Sequence, residues 1–454
     1  MARQRQQSPL LTRRLGAAAV LSAIALTGCE SGRATRAAVG DFYRSDFASA
    51  REGFRASAER RPFHEDSLLD NARFGMSNLA SGDVNEASRA LGTAYKLLES
   101  GGVNDEARIF AATVLHEGVK VYKGEPFEQA MVYSALAFTN ALRGDWENVR
   151  VCARATVRRL ADFQNADPTA SDRFRREGVA LVETDFALGY LLEGIADRVL
   201  GEDDSALDRA VSLNSSLREV VERVRSGRFN TIAFIEFGRG PSKEQYGDDG
   251  AMTRWVRNQR SAGELAVFVT GTAVAGPAKA AADVNRMAED HRWNNLENAR
   301  KFKSGLGTVM ILGGATTALA SEDKGAQIAG VAVAATGLLM KLLSSADTRH
   351  NELLPSEVFV AAFELPPEGA NVEIVLSGAP AERVTLNGAR PGTPTAPTVM
   401  YARVTPYRGG GSAPGVASWR LQDAARLESA ERAADDAWNA ETRILQERNP
   451  SNRP

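Results

Sequence analysis

The sequence predicts an α+β protein: an N-terminal α-helical solenoid, then a small β-rich domain interrupted by a glycine- and alanine-rich helical hairpin, and a C-terminal helix. Three observations carry that reading. Apolar residues recur at helical spacing through the first half, broken at intervals by Gly-acidic pairs. Beyond Arg228 the pattern shifts to short β-branched and aromatic runs punctuated by Pro and Gly. Within that second half, Ser304 to Met340 is almost free of charge and rich in Gly and Ala.

Residues 1–28 read as an export signal. Arg3, Arg5, Arg13 and Arg14 precede an apolar run from Leu15 to Ala25, which is too short to span a bilayer. Leu26-Thr27-Gly28-Cys29 closes it and resembles a bacterial lipobox, in which the Cys29 thiol is acylated and becomes the new N-terminus. The Arg13-Arg14 pair leaves the twin-arginine route open beside the general one. With Cys29 acylated, Cys152 is left without a disulfide partner and reads as a small core residue.

A linker, 29–40, leads to the helical half, 41–228. Helices are expected over Asp41 to Arg60, Ser67 to Ala80, Val84 to Leu98, Met131 to Leu142, Trp146 to Leu160, Phe186 to Leu200 and Leu207 to Leu217. Gly82-Asp83, Gly144-Asp145 and Gly201-Glu202 divide them into hairpins, with Gly ending one helix and the acid capping the next. The logic is tetratricopeptide-like (TPR-like), although the landmark glycines stand about 60 residues apart rather than about 34.

The β-rich domain spans 229–410. Its strands are expected at Thr231–Phe237, Leu265–Thr270, Glu357–Phe363, Val372–Leu376, Arg383–Leu386 and Val399–Val404, with a helical insertion over 278–347. Within the insertion, Gly314 and Ala318, and Ala326, Gly330 and Ala334, repeat the four-residue small-residue spacing of closely crossing helices. Thr316, Thr317 and Gln327 dilute the apolar run, so packing on protein is favoured over insertion in a bilayer. The last segment, 411–454, is a charged helix and tail bearing Leu427, Ala430, Ala434, Trp438 and Leu445.

Chemistry is sparse. The four histidines, His64, His116, His291 and His350, are scattered, and no metal-ligand spacing, nucleophile elbow, Walker loop or dinucleotide fingerprint is present. No catalytic residue, cofactor or metal site is therefore expected. Gly238-Arg239-Gly240-Pro241 with Lys243 is the one interaction candidate: the glycines suit a turn leaving a strand, and the same amides and charges could cradle an anion. A formal net charge of −2 gives no reason to expect nucleic acid.

Three short motifs occur in order: Tyr122-Lys-Gly-Glu-Pro-Phe-Glu128 with Ala135-Leu136, Gly144-Asp145 and Arg150-Val151; Phe237-Gly-Arg-Gly-Pro-Ser-Lys243; and Asp347-x-Arg349 followed by Leu354-Pro355. Together they resemble a family of uncharacterised bacterial lipoproteins with a tetratricopeptide-like front half. This chain departs from the pattern at Cys152, where the family resemblance implies a glutamate. The resemblance implies an envelope lipoprotein and no known activity or cofactor.

The expected function is a lipid-anchored scaffold or adaptor of the cell envelope that binds another envelope protein or peptide through its helical-repeat surface, without catalysis. The alternative is a component of an envelope transport or pore assembly that uses the hairpin 304–340. Glu30, rather than aspartate, follows Cys29, which favours the periplasmic face of the outer membrane over the inner membrane.

Overall fold

A computed structural model describes residues 33–60, 64–100, 122, 124–162, 186–246, 252–258, 260–289, 348–378, 381–405 and 415–417. The fold is mixed α+β. Cys29, His116, His291, the hairpin 304–340 and the tail helix expected over Trp419 to Glu447 lie outside the described residues. Among the described residues no helix is long and apolar enough to cross a membrane.

The helical half comprises α1 (33–43), α2 (Phe47–Arg60), α3 (Ser67–Ser81), α4 (Val84–Ser100), α5 (Pro126–Leu142), α6 (Trp146–Asp162), α7 (Ala187–Leu200), α8 (Ala206–Leu213) and α9 (Arg218–Arg225). A single 3-10 turn, Ser215–Leu217, joins α8 to α9. The expected linker 29–40 is thus helical from residue 33, and the helix expected over Asp41 to Arg60 is broken at Ser45, whose φ of 61° turns the chain. Asp46 then caps α2, its carboxylate accepting from the Ser49 amide at 3.1 Å.

Three helical hairpins, α3/α4, α5/α6 and α7/α8, close through one device. Gly82, Gly144 and Gly201 have φ of 89°, 77° and 78°. The amide after each glycine donates to a carbonyl five residues back: Asp83 to Asn78 at 3.0 Å, Asp145 to Asn140 at 2.9 Å, Glu202 to Asp197 at 2.8 Å. Seven residues before each turn glycine stands a small residue, Gly75, Ala137 or Gly194. At Gly75 and Gly194 the second helix comes so near that a Cβ would lie 2.5 Å from Leu91 Cγ or Leu207 Cγ. Trp146, just past the second turn, is buried.

The sheets explain the burial of the helices. A five-stranded sheet runs in the order β11 (Gly415–Ala417), β10 (Thr398–Val404), β1 (Thr231–Phe237), β7 (Glu357–Phe363), β6 (Ala282–Asp283). In it β1 is parallel to β10, from Thr231↔Thr398 to Phe237↔Val404, and antiparallel to β7. A four-stranded antiparallel sheet follows the order β5 (Thr272–Ala278), β4 (Leu265–Val269), β8 (Ala370–Leu376), β9 (Glu382–Ala389). A separate hairpin pairs β2 (Ser242–Tyr246) with β3 (Met252–Val256). The helix expected from Ala278 instead starts at Val284, as α10 (Val284–Glu289), because Ala282 and Asp283 first pair with Val358 and Glu357.

Strand β1 is buried along its whole length because both of its faces are covered. Ile232 and Phe234, with Val358, Val360, Ala362, Val399 and Tyr401 of its neighbours, pack into the helices. Ala233, Ile235 and Phe237, with Phe359, Ala361, Phe363, Met400 and Ala402, face the four-stranded sheet. The period-2 alternation of strand side chains sorts these residues between the two cores. The described residues therefore form three layers, helices on sheet on sheet, with the five-stranded sheet shared. Every residue of α5 except Gln129 is buried. The inner face of the helical array is filled by the chain's own sheet.

Candidate functional site

The three sequence motifs, far apart in the chain, meet at one edge of the helix–sheet boundary. The first supplies the start of α5. Pro126 at its first position suits a residue whose missing N–H would be unpaired there anyway. Glu125 and Glu128 form a reciprocal capping box, in which the Glu125 amide donates to Glu128 Oε2 at 2.7 Å. The other oxygen of Glu128, Oε1, accepts from Tyr122 Oη at 2.6 Å and from the Asn351 amide of the third motif at 2.8 Å. Burial pushes the Glu128 carboxyl up, against the pull of the Lys243 charge and of these donors. Burial and the neighbouring Glu128 charge likewise hold the Tyr122 phenol well above its ordinary value.

The second motif closes the cluster. Lys243 on β2 reaches Glu125 Oε1 at 3.0 Å and lies 5.0 Å above the Trp255 ring of β3. Trp255 in turn meets Phe127 edge-on at 4.9 Å and His350 at 5.8 Å. Arg349 caps the Tyr122 ring and pairs with Asp66 at 2.7 Å. Arg73, on α3, donates its Nε to Glu352 at 2.7 Å and lies 3.5 Å from Asp70. Asp70 also lies 3.4 Å from His64 and raises the pKa of that imidazole through the bond between them.

The space bounded by Leu68, Leu69, Ala72, Tyr122, Glu128 and Asn351 amounts to about 10 Å³, room for about one water molecule and far below the several hundred Å³ of a small-molecule pocket. Among the described residues no group of His, Cys, Asp and Glu is placed to hold a metal ion.

Within the interaction candidate Gly238 to Lys243, both glycine amides and Lys243 have partners in the molecule, while the Arg239 side chain is exposed. The Gly238 amide donates to Val404 O at 2.8 Å, and the Gly240 amide to Leu354 O at 2.7 Å. A Cβ on Gly240 would lie 2.8 Å from Leu354 O and 2.9 Å from Pro355 O, so the glycine serves close backbone approach. Arg239 lies over the Tyr43 ring at 5.1 Å, Pro241 is buried, and Lys243 holds Glu125.

No family model, curated protein or solved structure matches the chain.

A second buried cluster lies on the helix side of the central sheet. Glu236 and Arg403 each expose only 1% of their side chains and stand 3.9 Å apart. Tyr401 donates to Glu236 at 2.7 Å, while Arg403 Nη2 donates to Leu353 O at 3.1 Å and its guanidinium stacks 5.4 Å over Phe42 of α1. Tyr43 Oη donates to Glu352 O at 2.5 Å, and burial pushes the Tyr43 phenol up to about 12. Phe42, Tyr43 and the Ser45–Thr405 hydroxyl contact at 2.5 Å fasten α1 onto the loop of the third motif and the end of the sheet. Cys152 is buried against Asn140 Nδ2 at 3.8 Å, and burial pushes its thiol up to about 12, the behaviour of an inert core residue.

Sequence reasoning missed Tyr122, Glu128, Asn351, Trp255 and Tyr43 as a set. The capping-box spacing Glu125-Pro-Phe-Glu128 was the one local signal that pointed to any of them.

Proposed function

We propose that this protein is a lipid-anchored, non-catalytic scaffold of the bacterial cell envelope, held at the periplasmic face of the outer membrane by acylated Cys29, and that it binds another envelope protein or peptide. The observation that carries this reading is the fastening of α1. The described part of α1 opens at residue 33, four positions after Cys29 in the chain, and is fixed to the body through Phe42, Tyr43 and Ser45. A lipidated N-terminus would therefore hold the whole body at a set orientation, as a scaffold needs, rather than on a long tether.

The helical array is read as tetratricopeptide-like, with hairpin closure repeated at Gly82, Gly144 and Gly201 in its support. Because the inner face is occupied by the five-stranded sheet, the partner surface is assigned to the outer helices. On α6, Glu147, Val151, Arg154 and Arg158 are exposed, and Val151 at 46% is the most exposed large apolar side chain among the described residues. The motif resemblance to bacterial lipoproteins belongs to the same proposal.

The test is crosslinking in the native envelope, then purification on the acylated protein and mass spectrometry. An envelope protein captured by the wild type and lost with Val151→Asp/Arg154→Glu supports the reading. Capture that is unchanged by that variant and by the same substitutions extended to Arg158 overturns the surface assignment.

A further inference from the structure

Among the described residues, the outward face of α1 is the exposed charged surface nearest in sequence to the proposed anchor. Its inner face is spent on the body: Ala38 and Phe42 are buried, and Ala38 crosses Gly53 of α2 so closely that a Cβ there would lie 2.7 Å from Ala38 Cβ. The opposite face carries Arg33 and Arg36, with Arg44 just past the end of the helix, all exposed, and the small residues Ala37 and Gly40 between them. Asp41 on the same helix pairs with Arg44, so Arg33 and Arg36 carry most of the stripe's net positive charge. At 1.5 Å per residue, 33 to 44 covers about 16 Å along one side of the molecule.

We propose that this stripe lies on the phosphate headgroups of an anionic phospholipid surface and sets the angle at which the body stands on the membrane. The proposal rests on the lipid-anchor reading of Cys29. Four Cα steps separate Cys29 from Arg33, so an anchor in the bilayer allows Arg33 to rise no more than about 14 Å above it. A headgroup zone is about 5–8 Å deep, which leaves Arg33 within about one screening length of the phosphates, and Arg36 with it when the helix lies along the surface. Small residues between the arginines let the helix lie flush, and planar guanidinium groups match phosphate oxygens in pairs. The contacts of Phe42 and Tyr43 then transmit the helix orientation to the loop 351–355 and to the sheet.

The test uses the full acylated protein with Ala37→Cys carrying a spin label, since Cys152 is buried. It is reconstituted in vesicles of phosphatidylcholine, with or without phosphatidylglycerol, and the label's exposure to a water-soluble relaxation agent is measured. The expected result is protection in the anionic vesicles only. Each arginine should shift the docked population by roughly fivefold, so Arg33→Glu/Arg36→Glu abolishes protection whereas Arg33→Lys/Arg36→Lys retains it. Protection should also vanish at about 1 M salt, where screening acts within about 3 Å.

Mass spectrometry of the same samples separates the two claims. Acylated protein whose label is equally exposed in both vesicles, or indifferent to charge reversal, overturns the stripe. Protein not acylated at Cys29 overturns the anchor reading and the stripe with it.

Discussion

Phe138 of α5 stacks on Phe234 of β1, with ring centroids 4.7 Å apart and planes 25° from parallel. The contact joins the middle of the helical array to the middle of the central strand, and both rings are fully buried. The helical and β-rich halves thus share one core across that boundary, so they should not unfold separately. Phe138→Ala should cost about 3–5 kcal/mol. In urea, far-ultraviolet circular dichroism and Trp fluorescence should still fall in one coincident transition. Two separated transitions would show that the halves are independent.

Gly144 and Gly194 should fail for different reasons. At Gly144 nothing lies within 4 Å of a built Cβ, and only the φ of 77° resists a side chain. Gly144→Ala should therefore cost about 1 kcal/mol. At Gly194 a Cβ would lie 2.9 Å from the Leu207 backbone nitrogen, which no rotamer change relieves. Gly194→Ala should cost more, about 1–3 kcal/mol, through forced separation of α7 and α8. Chemical denaturation of the two variants side by side checks the order.

Glu128 gives the protein a pH dependence of defined sign. Its folded pKa lies above the ordinary carboxylate value of 4.5, so between those two values the folded state holds more protons than the unfolded state. Stability should then fall as pH rises through that window, and this part of the loss should be complete above the folded value. Glu128→Gln removes this share of the slope. It also sets an amide NH₂ against a donor, since Tyr122, Asn351 and Glu125 all donate to the carboxylate. A loss of about 1–3 kcal/mol at neutral pH is expected. Denaturation midpoints from pH 4 to 8 would show both effects, and an unchanged slope would remove Glu128 from the account.

Lys243→Met keeps the length of the stem and deletes the charge that holds Glu125 and faces the Trp255 ring. A cost of about 1.5–3 kcal/mol is expected. The β2–β3 hairpin should also loosen from α5, read as a red shift in Trp255 emission in a variant whose other tryptophans are replaced by Phe. Emission that does not move would mean that Phe127 alone seats the hairpin.

Much of the β architecture was legible because strands β1, β4, β7, β8, β9 and β10 carry β-branched and aromatic runs. Strand β2 was not, since Ser242-Lys-Glu-Gln-Tyr246 is polar, and the short strand β3, Met252-Thr-Arg-Trp-Val256, which pairs with β2 alone, went unread with it. Strand β5, Thr272-Ala-Val-Ala-Gly-Pro-Ala278, is built of small residues with a proline at an edge, which reads as loop. The break at Ser45 was hidden by apolar spacing that continues across it from Phe42 to Phe47, and Asp46 was the overlooked cap. The meeting of Tyr122, Lys243 and Asn351 depends on sheet order and register, in which β1 pairs with a strand more than 160 residues away. Nothing local encodes that.

The proposed anchor at Cys29 would hold a body whose first helix is already locked in place through Phe42, Tyr43 and Ser45. Growth with labelled palmitate, then isolation of the wild type and of Cys29→Ala, tests it most directly. Label is expected on the wild type alone, in the membrane fraction, with an unlabelled variant that is either uncleaved precursor or released. Label retained by Cys29→Ala, or absent from the wild type, would contradict it.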